Sequence, residues 1–422
     1  MDNMEISSAK NQKKVREPRK PIRVSLGVVF LCILLTGVIV FMATFVPYSL
    51  YCERQVNEAY ARFSKFDKLI QVAELYDESY LYDVDQDLLN EALASAYVYG
   101  CGDRFASYYT AEEWAAYVAE ASGSSVGIGV YVVYSETGGI EVVQVMSGSP
   151  AEAAGLAIGD IIVSVDGQAV TTLGYENAVN MVRGEVGTEL TVEVLRESQT
   201  LHFTVTRGIF EPETVFAETV RVGDELIGYI YITEFTSVEV TANQFIDAVE
   251  GLKELGVDSL IFDVRNNPGG DLNAIVEILD YLLPEGPIVH LFDADGNSLG
   301  EHFSDASGIN LPMVVLANEN TASAAELFTS ALNDYDKAEI VGTTTFGKGC
   351  GQQGSMLSDG SVVFITTFFY NPPYSENYDG IGIIPDYEVE LPEEWKNKNL
   401  FLIPHDEDSQ LAKAIALLVG ES

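Results

Sequence analysis

A serine, a lysine and a glutamine stand near one another in this chain, in company that suits hydrolysis of an amide bond. Residues 317–326 read Ala-Asn-Glu-Asn-Thr-Ala-Ser-Ala-Ala-Glu, and residues 345–352 read Thr-Phe-Gly-Lys-Gly-Cys-Gly-Gln. Ser323 sits among small residues at an expected helix start, Lys348 follows 25 positions later, and Gln352 lies four beyond it. A serine hydroxyl becomes a nucleophile only beside a base, and a lysine serves as that base if it is held neutral. A free lysine, with a pKa of about 10.4, is already protonated at neutral pH. Burial among apolar groups penalises the charged form, and Phe346 with the flanking glycines is expected to supply that cover. Gln352 would orient the lysine; Gln353 is adjacent, and only the spacing favours Gln352. The plainer readings are an N-cap serine and a surface lysine. A phosphate-binding Gly-Lys turn fails, because residue 349 is Gly where that motif needs Ser or Thr. Alone, Ser323 reads best as a cap; the matching lysine segment reverses that preference.

The Ser323, Lys348 and Gln352 strings resemble the site of the carboxyl-terminal processing proteases. Asp263-Val-Arg265-Asn266-Asn267-Pro268-Gly269-Gly270 resembles the Arg-Asn-x-Pro-Gly-Gly loop of that family. The resemblance implies an oxyanion hole built from the amide of Gly269, with Gly270 in reserve, and the amide of Ala324. Gly380-Ile-Gly382-Ile-Ile-Pro385-Asp386 also matches, in a region taken as structural. Ala325 departs from many relatives, which carry another serine there; it does not touch the chemistry. A Ser-His-Asp site would need His202, His290, His302 or His405, and none lies in a recognisable catalytic string. No His-Glu-x-x-His and no paired cysteines point to a metal, and no cofactor is implied. Asp293-Ala-Asp295-Gly296-Asn297 reads as a hairpin turn rather than a calcium loop.

The elements around these strings form several regions. Of 422 residues, 23 are Lys or Arg and 64 are Asp or Glu, a net charge of −41. Residues 1–23 hold seven of the basic and three of the acidic residues, which leaves 16 against 61 beyond them. An acidic surface of that size excludes nucleic acid as a partner. Val24 to Val46 is 23 residues without a charge, long enough to cross a bilayer at about 1.5 Å per residue. The run is too long for a signal-peptide core and no convincing cleavage site follows it. With the basic flank in front, residues 1–23 are expected in the cytoplasm and everything after Pro47 outside the cell membrane. Of the cysteines, Cys32 falls in the apolar run; Cys52, Cys101 and Cys350 leave at most one pair. Cys350, with no histidine nearby in sequence, is expected to be a packing residue.

Residues 51–118 read as helical, with a capping box at Thr110-Ala-Glu-Glu113, and form a spacer or a homodimer surface. Residues 119–208 resemble a PDZ domain of the bacterial protease type, through Ser149-Pro-Ala-Glu-Ala-Ala-Gly-Leu-Ala-Ile-Gly-Asp160. There Gly127, Ile128, Gly129 and Val130 would receive a peptide carboxylate while a strand edge pairs with the peptide. Arg183, ending the PDZ helix, is either a helix cap or a residue that reaches the core and couples peptide binding to cleavage. Residues 209–400 alternate strands and helices, an α/β pattern; the resemblance implies a crotonase-like protease core. Residues 401–422 form a helical tail. The reading is a membrane-anchored, extracytoplasmic Ser-Lys endopeptidase that takes protein substrates by their C-termini. The alternative is a PDZ-bearing scaffold with an inactive core, which the joint presence of Ser323, Lys348, Gln352 and the Gly269-Gly270 loop disfavours.

Overall fold

The computed structural model describes residues 25–420 apart from 122–124, 136, 306–307 and 397. The basic segment 1–23 and Val24 lie outside the described residues. The chain divides between Gln86 and Asp87 into two compact units.

In the first unit the apolar run forms the helix Leu26–Phe63. Its part Leu26–Glu58 is long and apolar enough to cross a membrane, by length and composition. The sequence reading ended this helix before Pro47; instead Pro47 lies inside it. Proline removes one ladder bond, and the polar helix formers from Glu53 onward carry the helix on. The helix Asp67–Ser79 follows and buries none of its residues.

The second unit begins with the helix Gln86–Gly100. The cap at Thr110 is present in both directions: Thr110 N donates to Glu113 Oε2 at 2.9 Å and Glu113 N to Thr110 Oγ1 at 3.2 Å. Between these helices the sequence reading had no strand. Ser107–Tyr109 is one, and it pairs antiparallel with Val362–Asn371, Ser107 opposite Phe364. Three residues are too few to show a period in sequence, so only the partner strand reveals it.

The PDZ-like region is a sheet in the order Val130–Tyr134, Ile140–Val145, Ile161–Val165, Glu189–Arg196, Gln199–Thr206. Ile140, Ile162, Leu190 and Val192 form its core. Val130–Tyr134 is an edge strand, with the helix Tyr175–Val182 following later in the chain.

The catalytic candidates sit on a six-stranded sheet ordered Val215–Val222, Glu225–Ile232, Ser259–Asp263, Met313–Ala317, Ala338–Gly342, Tyr387–Glu388. Every pairing but the first is parallel. Its central strands Ser259–Asp263 and Met313–Ala317 are buried on both faces, which is why residues 260–262 and 313–317 read as unbroken apolar runs. On one face pack the helices Asn243–Glu254, Leu272–Leu282 and Ala324–Asp334. On the other packs the helix Ser409–Val419, with Leu411 and Ala414 fully buried. The segment set apart in sequence as a tail is thus a layer of this core. A second sheet joins Ser107–Tyr109, Val362–Asn371, Gly286–Phe292 and Ser298–Ser304, with Cys350–Met356 also on Val362–Asn371.

Candidate active site

The strand Met313–Ala317 ends in a tight turn that delivers Ser323 to the start of the helix Ala324–Asp334. Ser323 has φ 58° and ψ −121°, a left-handed conformation that costs a non-glycine residue about 1–3 kcal/mol. The turn is fastened to the loop after Ser259–Asp263. Ala322 N donates to Asn267 O at 2.9 Å, and Thr321 Oγ1 to Val264 O at 2.8 Å. Asn266, itself at φ 60°, accepts from the side chains of Asn318 and Asn320 at 2.9 Å each.

Glu326 holds the strained turn and is the residue that sequence reasoning missed. Its carboxylate is fully buried. It accepts from Ser323 N at 2.9 Å, Lys348 N at 2.8 Å, Gly347 N at 2.7 Å and Thr345 Oγ1 at 2.6 Å. One side chain therefore binds the serine turn to the lysine turn. Ser-x-x-Glu is a capping-box signature, and that pattern at 323–326 was the signal that could have found it.

Lys348 is half-buried, and its ammonium lies 4.6 Å from the centroid of the Phe105 ring. Phe346, the expected cover, is exposed; the ring over the lysine comes from the N-terminal side of the PDZ-like region. Burial pushes the Lys348 pKa below the ordinary lysine value, against the pull of Cys350, Asp103 and Glu326 and with help from Arg104. The same burial pushes the Cys350 thiol up to about 11, so it is protonated and inert at neutral pH. All four cysteines are free.

Gln352 stands on Cys350–Met356 beside a register shift, opposite Thr366. Its amide donates to Thr366 Oγ1 at 3.1 Å, and Thr366 donates in turn to Asp103 from its amide and its hydroxyl, at 2.8 and 3.0 Å. Tyr370 donates to the Lys348 carbonyl, and its buried hydroxyl also interacts with the Ser323 side chain. No hydrogen bond joins Ser323 to Lys348, or Gln352 to Lys348, among the described residues.

Gly269 and Gly270 lie against this turn. A Cβ on Gly269 would fall 2.6 Å from Ala322 O and 2.7 Å from Ser323 Cβ, so glycine is required for the approach. The Gly269 amide already donates to Asn267 Oδ1 at 2.8 Å. The amides of Gly270 and Ala324 donate to no protein group among the described residues. Ser323, Ala324, Lys348, Gln352, Gly269 and Gly270 all line one cleft of ≈ 970 Å³.

Behind the Pro-Gly-Gly loop, Arg265 is buried with Asp263, and its guanidinium also reaches Asp408 Oδ2 at 2.8 Å and Gln410 Oε1 at 2.8 Å. Asp408 caps the helix Ser409–Val419. This network ties the C-terminal helix to the strand that carries the loop. His290 contacts Glu301, and Asp293 caps the hairpin turn before Ser298–Ser304.

In the PDZ-like region Gly127 pairs with Gly208, and Val130 opens the edge strand. The carbonyls of Ile128 and Gly129 accept from Ala151 N and Met146 N, at 2.7 and 3.0 Å. A Cβ on Gly129 would lie 2.3 Å from Ser149 Cβ, so this glycine serves a close approach. The Ile128 and Gly129 amides donate to no protein group among the described residues. Arg183 is exposed and does not reach the core; its side chain has no hydrogen bond or ion pair among the described residues. The helix end is served by buried Arg207, which donates to Met181 O at 2.7 Å and Val182 O at 3.0 Å.

Residues 226–389 match the family model for peptidase family S41, and residues 141–196 match a PDZ domain model. The carboxyl-terminal-processing protease of Synechocystis sp. is 35% identical over 276 residues, 64% of this chain and 64% of that protein. The carboxy-terminal processing protease CtpA of Bacillus subtilis is 32% identical over 332 residues, 78% of this chain and 70% of that protein. A solved putative S41 protease from Bacteroides fragilis shares the fold, with a TM-score of 0.52 at 19% identity, over 72% of this chain and 88% of that one.

Proposed function

This chain belongs to peptidase family S41, among the carboxyl-terminal processing serine proteases, and from that premise we propose that Ser323 is its nucleophile and Lys348 its base. The supporting observation is the single cleft lined by Ser323, Lys348, Gln352, Gly270 and Ala324. Neutral Lys348 takes the proton from Ser323 Oγ, which bonds to the scissile carbonyl carbon. The displaced electron pair moves to the carbonyl oxygen, where the unengaged amides of Gly270 and Ala324 receive it. The engagement of the Gly269 amide with Asn267 favours Gly270 as donor. Lys348 returns the proton to the departing amine as the C–N bond breaks and an ester forms on Ser323. Water, deprotonated by Lys348, then attacks that ester, and Lys348 returns the proton to Ser323 Oγ as the acyl C–O bond breaks and the carboxylic acid leaves. This sequence requires the Lys348 amine to turn toward Ser323 while Phe105 still covers it, with Gln352 orienting it.

The PDZ-like region recruits protein substrates by their C-termini, with the Ile128 and Gly129 amides facing the carboxylate and Val130–Tyr134 pairing with the peptide. Coupling through Arg183 belongs to a peptide-bound arrangement other than the one described. Leu26–Glu58 anchors the chain as a single span, residues 1–23 cytoplasmic and the protease outside. Exposed Leu69, Ile70 and Leu75 on Asp67–Ser79 offer a homodimer surface. The test is digestion of an unfolded protein by the detergent-solubilised chain beside its Ser323→Ala form. Cleavage by both, or by neither, removes the Ser323 assignment.

A further inference from the structure

The segment between the helix Gln86–Gly100 and the strand Ser107–Tyr109 carries no catalytic motif, yet it enters the cleft from outside the protease core. Asp103 uses both carboxylate oxygens on Thr366: Oδ2 accepts from the amide at 2.8 Å and Oδ1 from the hydroxyl at 3.0 Å. That hydroxyl, its proton committed to Asp103, offers its lone pair to the Gln352 amide at 3.1 Å. Asp103 is itself fixed by its own turn, through the Phe105 amide at 3.0 Å. Partial burial opposes its ionised form, but the amides of Thr366 and Phe105 and the Thr366 hydroxyl outweigh that and keep it charged. Two residues on, the Phe105 ring lies 4.6 Å from the Lys348 ammonium and 4.5 Å from the Arg104 guanidinium. The strand Ser107–Tyr109 locks the segment to Val362–Asn371, the strand that carries Thr366.

We infer that Asp103 and Phe105 are positioning residues of the active site: Asp103 sets the Gln352 amide through Thr366, and Phe105 shields Lys348 from water. The inference rests on the Ser323–Lys348 reading. It means that the protease core, residues 209–400, is incomplete without a segment over a hundred residues upstream. Two effects of Phe105 oppose each other. Its π face favours the ammonium, whereas its bulk removes water and favours the neutral amine. Burial is the leading cause of the lowered Lys348 pKa, and the Phe105 ring, 4.6 Å from the ammonium, is part of that cover. The charged or titratable groups facing the amine are Asp103 and Arg104 from this segment, Glu326 from the Ala324 helix and Cys350 from its own strand.

Two measurements on the full detergent-solubilised chain test this. The first reads Lys348 without cleavage: amine-selective acylation of Lys348 across pH, followed by mass spectrometry, reports its neutral fraction. Phe105→Ala should move that titration up by about half to one pH unit, and Phe105→Leu, which keeps apolar bulk, should restore most of it. An unmoved or lowered titration overturns the role of Phe105. The second is a double-mutant cycle on kcat. Asp103→Asn and Thr366→Val should each lower kcat about tenfold with KM nearly unchanged, and the double variant should lose no more than either. Thr366→Ser should retain activity. Additive losses, or losses that follow the melting temperature alone, overturn the relay. Loss of cleavage in Ser323→Ala while Asp103→Asn behaves as wild type sinks this inference and leaves the dyad standing. Equal cleavage by wild type and Ser323→Ala sinks the dyad, while the acylation titration still decides the role of Phe105.

Discussion

Two helix starts in this molecule carry the same local pattern and do opposite things with it. Ser149-Pro-Ala-Glu152 opens a PDZ helix, and Ser323-Ala-Ala-Glu326 opens the helix beside the cleft. Ser149 is extended, at φ −78° and ψ 160°, and its hydroxyl accepts from Glu152 N at 3.2 Å. Glu152 is exposed and reaches back to Gly148 N at 2.8 Å. At the other start Ser323 is left-handed and the Glu326 amide bonds to the Ser323 carbonyl instead. There the glutamate is buried and takes over the capping, which spares the serine hydroxyl for the cleft. A capping box thus keeps a serine structural when its backbone is relaxed. It releases the serine when the backbone is turned and the glutamate has other donors to satisfy.

The largest test separates the two serines. Ser323→Ala should lower kcat by about three orders of magnitude or more with little change in melting temperature, because the Glu326 amide bonds to the Ser323 carbonyl at 2.9 Å, which the substitution keeps. A large melting loss with residual cleavage would erase the contrast. Next come the two glutamates. Glu326→Gln sets an amide NH₂ against donors that all face inward, and it should cost about 2–4 kcal/mol in chemical denaturation and most of the activity. Glu152→Gln, in solvent, should stay within about 0.5 kcal/mol. Equal costs would show that burial does not distinguish the caps.

A pH signature should appear on one side only. Burial lowers the Lys348 pKa, and the base works only when neutral. The kcat of the protease should therefore rise with pH through a pKa below the ordinary lysine value of about 10.4. Lys348→Arg should be inactive, since guanidinium holds its proton; an active Arg variant would remove the base. Cys350→Ala should leave the profile in place, because the thiol is protonated up to about pH 11. The smallest effect belongs to Ser149→Ala, about 1 kcal/mol of stability from the lost cap, with peptide cleavage unchanged by direct assay.

The legible parts share one property: their physical reason is local. The long apolar run, the Thr110 cap, the glycines at 269 and 270 and the unbroken strands beside the cleft can each be read from neighbours in sequence. The Pro-Gly-Gly string was legible through its resemblance to the family's loop, and the structure adds why Gly269 must be glycine: a Cβ there would meet Ala322 O and Ser323 Cβ. The parts that escaped depend on partners far along the chain. Glu326 looked like an ordinary third residue of a helix, because its other acceptor sites are filled from residues 345–348. Phe346 is adjacent to the lysine in sequence, yet adjacency in a glycine turn leaves a side chain free to point outward, and Phe346 is exposed. Arg183 ends the helix in sequence, whereas Arg207, from the strand that leaves the domain, reaches those carbonyls from within.

By itself the sequence determined which groups can do chemistry and the helix or strand periods that carry them, since residue type and short-range spacing dictate both. Only the tertiary structure decided which serine is released from its cap, which amide of the glycine pair is free, and which ring covers the lysine. Those outcomes turn on hydrogen bonds and burial between segments separated by 19 to 263 positions, and no local pattern encodes a partner at that distance.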